Sequence, residues 1–210
     1  MAKPIIREQG IPVGNVYDKY ATGNPIARRL VRNFTSNVLE LVHASGARDI
    51  HEVGCGEGYL TEIIASLGVD RIRGSDMSEK MIAEARSRTA GSGLVFESKN
   101  IYELGSDDSA ELVVCCEVLE HLDDPERALQ VLALLNTEQY VFSVPREPIW
   151  RLLNLARGKY LGQFGNTPGH LQHWSAASFQ SLIGRYFDVS ERRSPLPWTI
   201  LLCSRRERKR

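Results

Sequence analysis

Residues 48–58, RDIHEVGCGEG, together with the helical pattern that begins at Tyr59, decide the fold. The segment through Val53 and Gly54 reads as a short buried strand, and Tyr59 to Leu67 as a helix ended by Gly68. Between them lies Gly54-Cys55-Gly56-Glu57-Gly58. Glycine is needed where a chain turns sharply or brings its backbone against a ligand, because a Cβ would clash. A turn that leads into a helix N-terminus also presents backbone N–H donors. The third glycine follows the second by two residues, one fewer than in the dinucleotide fingerprint GxGxxG.

The pattern repeats outward from this turn. RIRGSD is a second strand, and Ser78 caps a helix over Glu79 to Thr89. LVFES is a third strand, and ELVVCCEV is a fourth, nearly continuous apolar run suited to the centre of a sheet. Asp124-Pro125 starts a helix through Leu135, and QYVFSVP is a fifth strand. Strands alternating with helices imply parallel pairing with right-handed crossovers. FDVSERR and PWTILLCS read as a closing antiparallel hairpin. The expected architecture is a doubly wound, mostly parallel α/β sheet with an antiparallel last strand and a helical insertion after strand five.

One domain is expected over 1–210. A turn-rich opening leads to an amphipathic helix over 26–44, with Ile26, Leu30, Phe34, Val38, Leu41 and Val42 at helical spacing. Residues 1–45 form an N-terminal lid and helix, and 46–145 the core. The insertion occupies 146–174, with a helix over Ile149 to Ala156 and the cluster GNTPGHLQHW. Residues 175–204 form a closing helix, which Ser175 caps and which runs to Tyr186, and the hairpin; 205–210 are a basic tail. An excursion as long as 146–174 in a compact domain is usually functional.

The bulk composition narrows the class. Hydrophobic residues make up 42% and charged residues 25%, as in ordinary globular proteins. No apolar run approaches the ~20 residues that span a bilayer, and the first residues lack a signal-peptide core. The four cysteines form no CxxC pair, so a reducing, cytoplasmic setting is expected. Basic and acidic side chains number 26 each, but Ser204 to Arg210 hold five basic and one acidic; the other 203 residues carry a net charge of −4. The tail suits RNA, an acidic membrane surface or plain solvation.

The second strand ends in Gly74-Ser75-Asp76-Met77. An acid there, about 20 residues after the glycines, can accept hydrogen bonds from both hydroxyls of a ribose. With EVGCGEG, GSDMSEKMIAEAR and CCEVLEHLDDP in this order, residues 48–145 resemble the seven-stranded class I S-adenosylmethionine-dependent methyltransferases, especially their type 11 group. The resemblance implies that Gly54, Cys55, Gly56 and Gly58 line the methionine part of the cofactor, with Glu52 supporting the loop. It places Asp76 on the ribose, Met77 on the adenine, and Asn100 and Ile101 at the adenine edge. Many relatives have Asp where this chain has Asn100. Cys116 and Glu117 would lie beneath the sulfonium, and Tyr17 and Tyr20 in a lid. The chemistry is in-line attack on the methyl carbon, with S-adenosylhomocysteine (SAH) leaving; the protein supplies alignment and water exclusion.

Glu117-Val118-Leu119-Glu120-His121 puts two carboxylates and an imidazole at i, i+3 and i+4, on one face if the segment turns helically. It follows the fourth strand, at the carboxyl edge where ligands bind. Such a cluster, completed by His170 or His173, suits manganese, iron, cobalt or zinc, and the metal set considered is Glu117, Glu120, His121 and His170. Without a metal, His121 is a candidate general base, with Glu117 and His173 as further catalytic candidates; a purely structural role stays open. FSVP, an inserted helix and GHLQHW partially resemble the ubiquinone-pathway O-methyltransferases and the small-RNA 2′-O-methyltransferases, although RLLNLARGKYLGQFGNTPG matches neither branch closely.

The leading expectation is O-methylation of a small-molecule or lipid-like acceptor, the insertion supplying an apolar lid from Ile149, Trp150, Leu152, Leu153, Leu155, Tyr160 and Leu161. RNA is the alternative partner, disfavoured by the acidic body. A non-catalytic S-adenosylmethionine-binding protein and a nicotinamide dehydrogenase are further alternatives, the latter opposed by the GxGxG spacing.

Overall fold

The computed structural model describes residues 23–158 and 160–206, together with the backbone of 6–8 and 11–13. Tyr17, Tyr20, Lys159 and the end of the basic tail lie outside the described residues. In chain order the strands are β1 (Ile6–Glu8), β2 (Ile11–Val13), β3 (Asp49–Val53), β4 (Arg71–Asp76), β5 (Val95–Ser98), β6 (Leu112–Cys116), β7 (Gln139–Pro145), β8 (Phe187–Arg193) and β9 (Trp198–Arg205). The α-helices are α1 (Pro25–Ser45), α2 (Tyr59–Ala65), α3 (Glu79–Arg88), α4 (Pro125–Leu134), α5 (Ile149–Ala156) and α6 (Ala176–Ile183).

Seven strands form one sheet in the order β5-β4-β3-β6-β7-β9-β8. β5 through β7 pair in parallel, and β9 runs antiparallel to both β7 and β8. The expected doubly wound sheet with an antiparallel closing hairpin is therefore the observed fold. The opening stretch, expected to be irregular, contains a small antiparallel pair in which Ile6 faces Val13.

β6 lies at the centre of the sheet and all five of its residues are buried. The period-2 alternation of a strand divides the core between two faces. Leu112, Val114 and Cys116 pack with Phe34, Val38 and Leu41 of α1 and Leu60 and Ile64 of α2. Val113 and Cys115 pack on the opposite side with Leu129 and Leu132 of α4 and Phe179 and Ile183 of α6. Each fully buried side chain of this size stabilises the fold by ~1.5–3 kcal/mol.

α1 starts where Asn24 accepts hydrogen bonds from the Ile26 and Ala27 amides, with Pro25 in its first turn. It stops at Gly46, whose φ of 69° gives a left-handed cap. Ile26, counted in the apolar stripe, is 70% exposed on the first turn of the helix. α6 ends at Ile183 rather than Tyr186, since the Gly184 amide caps onto Gln180 O. Among the described residues no helix is long and apolar enough to cross a membrane.

Candidate cofactor and acceptor site

At the carboxyl edge of β3, β4 and β6 lies a cavity of about 560 Å³. One wall is the glycine turn. Gly54 has φ 77°, and a Cβ there would collide with Val118 Cγ2, so its lack of a side chain lets the loop after β6 close on the turn. Gly56, at φ 52°, has nothing within 4 Å of its Cβ direction and faces open space. The site reserves this surface for close approach of a ligand to backbone. Gly58 opens α2 and packs against the Phe96 ring.

Asp76 ends β4 and is already tied to this turn. Its Oδ2 accepts from the Gly56 amide at 2.9 Å and its Oδ1 from the Ser78 amide at 2.9 Å. Glu52, buried at the end of β3, accepts from the Thr61 hydroxyl of α2, which joins strand to helix as the loop-supporting role requires. Cys55 lines the cavity but packs against Gly74; burial first, then the nearby Glu52 carboxylate, pushes its thiol far up, so it is a neutral thiol. Met77, Asn100, Ile101 and Cys116 line the same space. Asn100 also accepts from the Tyr102 amide.

The rest of the wall comes from the loop after β6, which closes on that turn, and from the insertion. The segment does not form the expected helical turn from Glu117: the residue lies at φ 61°, and only Leu119–His121 form a 3₁₀ turn. Glu117 therefore departs from the direction of its neighbours. Its Oε2 accepts from Trp198 Nε1 at 2.7 Å and its Oε1 from Ser143 Oγ at 3.4 Å. Glu120, His121 and His170 converge instead, each offering a ligand atom within 4.8 Å of the others. One carboxylate and two imidazoles within that span fit a single divalent ion of the transition series. Glu117, expected in the same set, is not part of this grouping.

The end of the insertion clasps the 3₁₀ turn. The Leu171 and Gln172 amides donate to Glu120 O at 2.8 and 3.0 Å, and His121 Nδ1 meets Gly169 O at 2.9 Å. A carbonyl only accepts, so Nδ1 carries the proton and Nε2 the lone pair that a base or metal ligand needs. His170 is buried, stacked on Trp150 at 5.7 Å and edge-on to His121 at 5.0 Å. His173 lies elsewhere: it is exposed, bonds to Asn166 Oδ1 at 2.8 Å, and is absent from the cavity lining. Burial, then Arg151, lowers its pKa. The histidine brought into the site is thus His170.

The sequence marks Trp150 for the apolar lid but not the two aromatic residues that extend it into a wall. Phe34 and Trp198 stand 4.9 Å apart, and Trp198 and Trp150 5.8 Å, all three lining the cavity. Phe34 reads as an ordinary core residue of α1, and Trp198 as a strand residue; only the crossing of distant elements makes them one surface. Besides its two histidines, the charged lining is mostly acidic: Glu52, Glu57, Asp76, Glu117, Glu120 and Asp123 against Lys99 and Arg157. Lys99 is itself bound to Asp108 at 2.7 Å. A site of this sign favours a cationic ligand, and its open glycine surface, acid and buried carboxylates fit a cofactor bearing a ribose and a sulfonium.

A family model described as "Methyltransferase domain" matches residues 51–134. Ubiquinone biosynthesis O-methyltransferase of Bordetella avium is 33% identical over 102 residues, which cover 47% of this chain and 42% of that protein. Malonyl-[acyl-carrier protein] O-methyltransferase of Bacillus cytotoxicus is 29% identical over 114 residues, 54% of this chain and 39% of the relative. The match thus spans less than half the length of these curated relatives. Magnesium protoporphyrin IX methyltransferase of Synechocystis PCC 6803, solved with bound SAH, superposes with a TM-score of 0.67 at 21% identity, covering 90% of this chain and 91% of that one. The methyltransferase domain of bacterial CtHen1 gives 0.66 at 18% identity over 83% and 99%. At such identities the two structures share the fold. Residues 51–134 thus match a methyltransferase-domain family, and the chain shares the fold of these solved methyltransferases.

Proposed function

We propose that the chain transfers the methyl group of S-adenosylmethionine to an oxygen of a small, largely apolar acceptor, with a divalent ion held by Glu120, His121 and His170. The observation that carries this reading is one cavity with two unlike ends. The Gly54–Gly58 turn and Asp76 form one, and the carboxylate–imidazole trio beside Trp150 forms the other. S-adenosylmethionine, when bound, supplies an activated methyl carbon.

The chain's own residues do the rest. Asp76 and the Gly56 backbone bind and orient the donor, and the aromatic wall excludes water and packs the acceptor. His121 Nε2 takes the hydroxyl proton where no ion is bound. A divalent ion would be held by Glu120, His121 and His170 and would supply a Lewis acid for an acceptor hydroxyl. Ubiquinone-pathway relatives support an oxygen acceptor.

An RNA 2′-hydroxyl is the second reading, favoured by the same trio and by fold likeness to the CtHen1 domain. The test is methyl transfer from labelled S-adenosylmethionine to three probes: a catechol, a long-chain phenol and a short RNA with a free 3′ diol, each with and without manganese. Methylation of the phenolic probes alone supports the reading. Methylation of the RNA alone transfers the assignment to the second, and none with any oxygen acceptor sinks both.

A further inference from the structure

Glu117 stands at the end of the central strand in a conformation that a non-glycine residue adopts only when its surroundings over-determine it. Three bonds do so. Its amide donates to Ser143 O at 3.0 Å, Ser143 Oγ donates to Oε1, and Trp198 Nε1 donates to Oε2 at 2.7 Å. The indole cannot swing away: Trp198 is 3% exposed and wedged between Phe34 and Trp150. Val118, the next residue, closes on Gly54, and Glu117 lines the same cavity as the glycine turn. Its carboxylate is thus committed toward β7 and β9, apart from the trio at Glu120, His121 and His170.

We infer that Trp198 is a positioning residue, whose indole N–H holds the Glu117 carboxylate as a fixed negative charge on the donor side of the cavity, to favour a cationic cofactor over its neutral product. A charge-assisted bond of this length is strong and directional. The inference rests on the methyltransferase reading. It separates the two carboxylates of the ExxEH segment, Glu120 to the ion and Glu117 to the donor.

The test compares two donor analogues by calorimetry: neutral SAH, and sinefungin, which carries an ammonium in place of the methylsulfonium. The quantity is the ratio of their dissociation constants. In Glu117→Gln the preference for sinefungin falls by roughly tenfold, as loss of one close charge predicts. In Trp198→Phe, which keeps the ring and removes the donor, it falls by roughly threefold or more, while SAH affinity changes by less than about threefold. Equal weakening of both ligands, or an unchanged ratio, overturns the inference.

Thermal melts check that Trp198→Phe folds. If it does not, the indole N–H resonances decide. The chain has three tryptophans, and Trp150→Phe and Trp174→Phe identify the Trp198 peak by elimination. A Trp198 peak that moves in Glu117→Gln while the other two stay supports the bond, and an unmoved peak overturns it. Failure of wild type to bind either analogue would instead remove the underlying reading, and the inference with it.

Discussion

The Gly56 amide donates to Asp76 Oδ2 at 2.9 Å, so the turn after β3 and the acid ending β4 are locked together. The two residues lie 20 positions apart, and the bond joins the ends of adjacent parallel strands. Such preorganisation lowers the ordering cost of binding. Replacing Asp76 with Asn removes the charge that serves both the turn and a ribose. SAH affinity is expected to weaken roughly 10–100-fold, the worth of one or two hydrogen bonds to a charged group. Calorimetry decides it, and affinity within about threefold of wild type would contradict the assignment of Asp76.

The glycines of the turn predict two different failures. Gly54→Ala drives a methyl into Val118 Cγ2 at a φ of 77°. Valine is stiff and cannot rotate clear. This variant is expected to lose ~2–4 kcal/mol of stability. Gly56→Ala meets no atom within 4 Å but projects into the cavity from a φ of 52°. It should melt within a few degrees of wild type, after a cost of ~1–2 kcal/mol, yet bind SAH at least about tenfold more weakly. Melting curves with and without SAH separate the two; the reverse pattern would refute this account of the turn.

What was legible in the chain was whatever local pattern dictates. The run from Leu112 to Cys116 had to be a central strand, because five consecutive buried residues suit only the middle of a sheet covered on both faces. Gly54 to Gly58 and Asp76 marked the turn between β3 and α2 and the end of β4, because strand, turn and helix each impose their own residue types. The acceptor end was less readable. Whether His170 or His173 enters the site depends on how the insertion returns, and Glu117 leaves its expected helical phase through a single left-handed residue. Trp198 reaches Glu117 across 81 positions, a contact that no local period encodes.

His51 predicts a pH dependence of stability. It is fully buried, with Nδ1 2.8 Å from Asp108 O and Nε2 2.8 Å from Ser75 Oγ. The Nδ1–H donates to the Asp108 carbonyl, and Nε2 accepts from the serine hydroxyl. Burial, against the bond to Asp108, lowers the pKa of the imidazole. The folded chain thus prefers the neutral ring, whereas the unfolded one takes up a proton near its ordinary value of ~6.5. The stabilisation is full above that value and is lost as pH falls toward and through the folded pKa. Between about pH 7.5 and 5.5, wild type should lose more of its melting temperature than His51→Gln does. Equal losses would show that His51 does not contribute.

The trio predicts which histidines hold an ion. In chelator-stripped protein saturated with SAH, wild type is expected to take up one manganese or zinc ion. His121→Ala and His170→Ala each remove one of the two imidazoles that converge on Glu120. Their affinity should fall by more than the roughly 10–100-fold typical of losing an outer-shell support. His173→Ala should bind as wild type does, because that ring is exposed and bonded to Asn166. The contrast between two histidines three positions apart isolates geometry from composition. If His173→Ala loses the ion and His170→Ala keeps it, the return of the insertion is not as described. If wild type binds no ion, His121 is left as a base or a structural residue, its ring oriented by the bond from Nδ1 to Gly169 O.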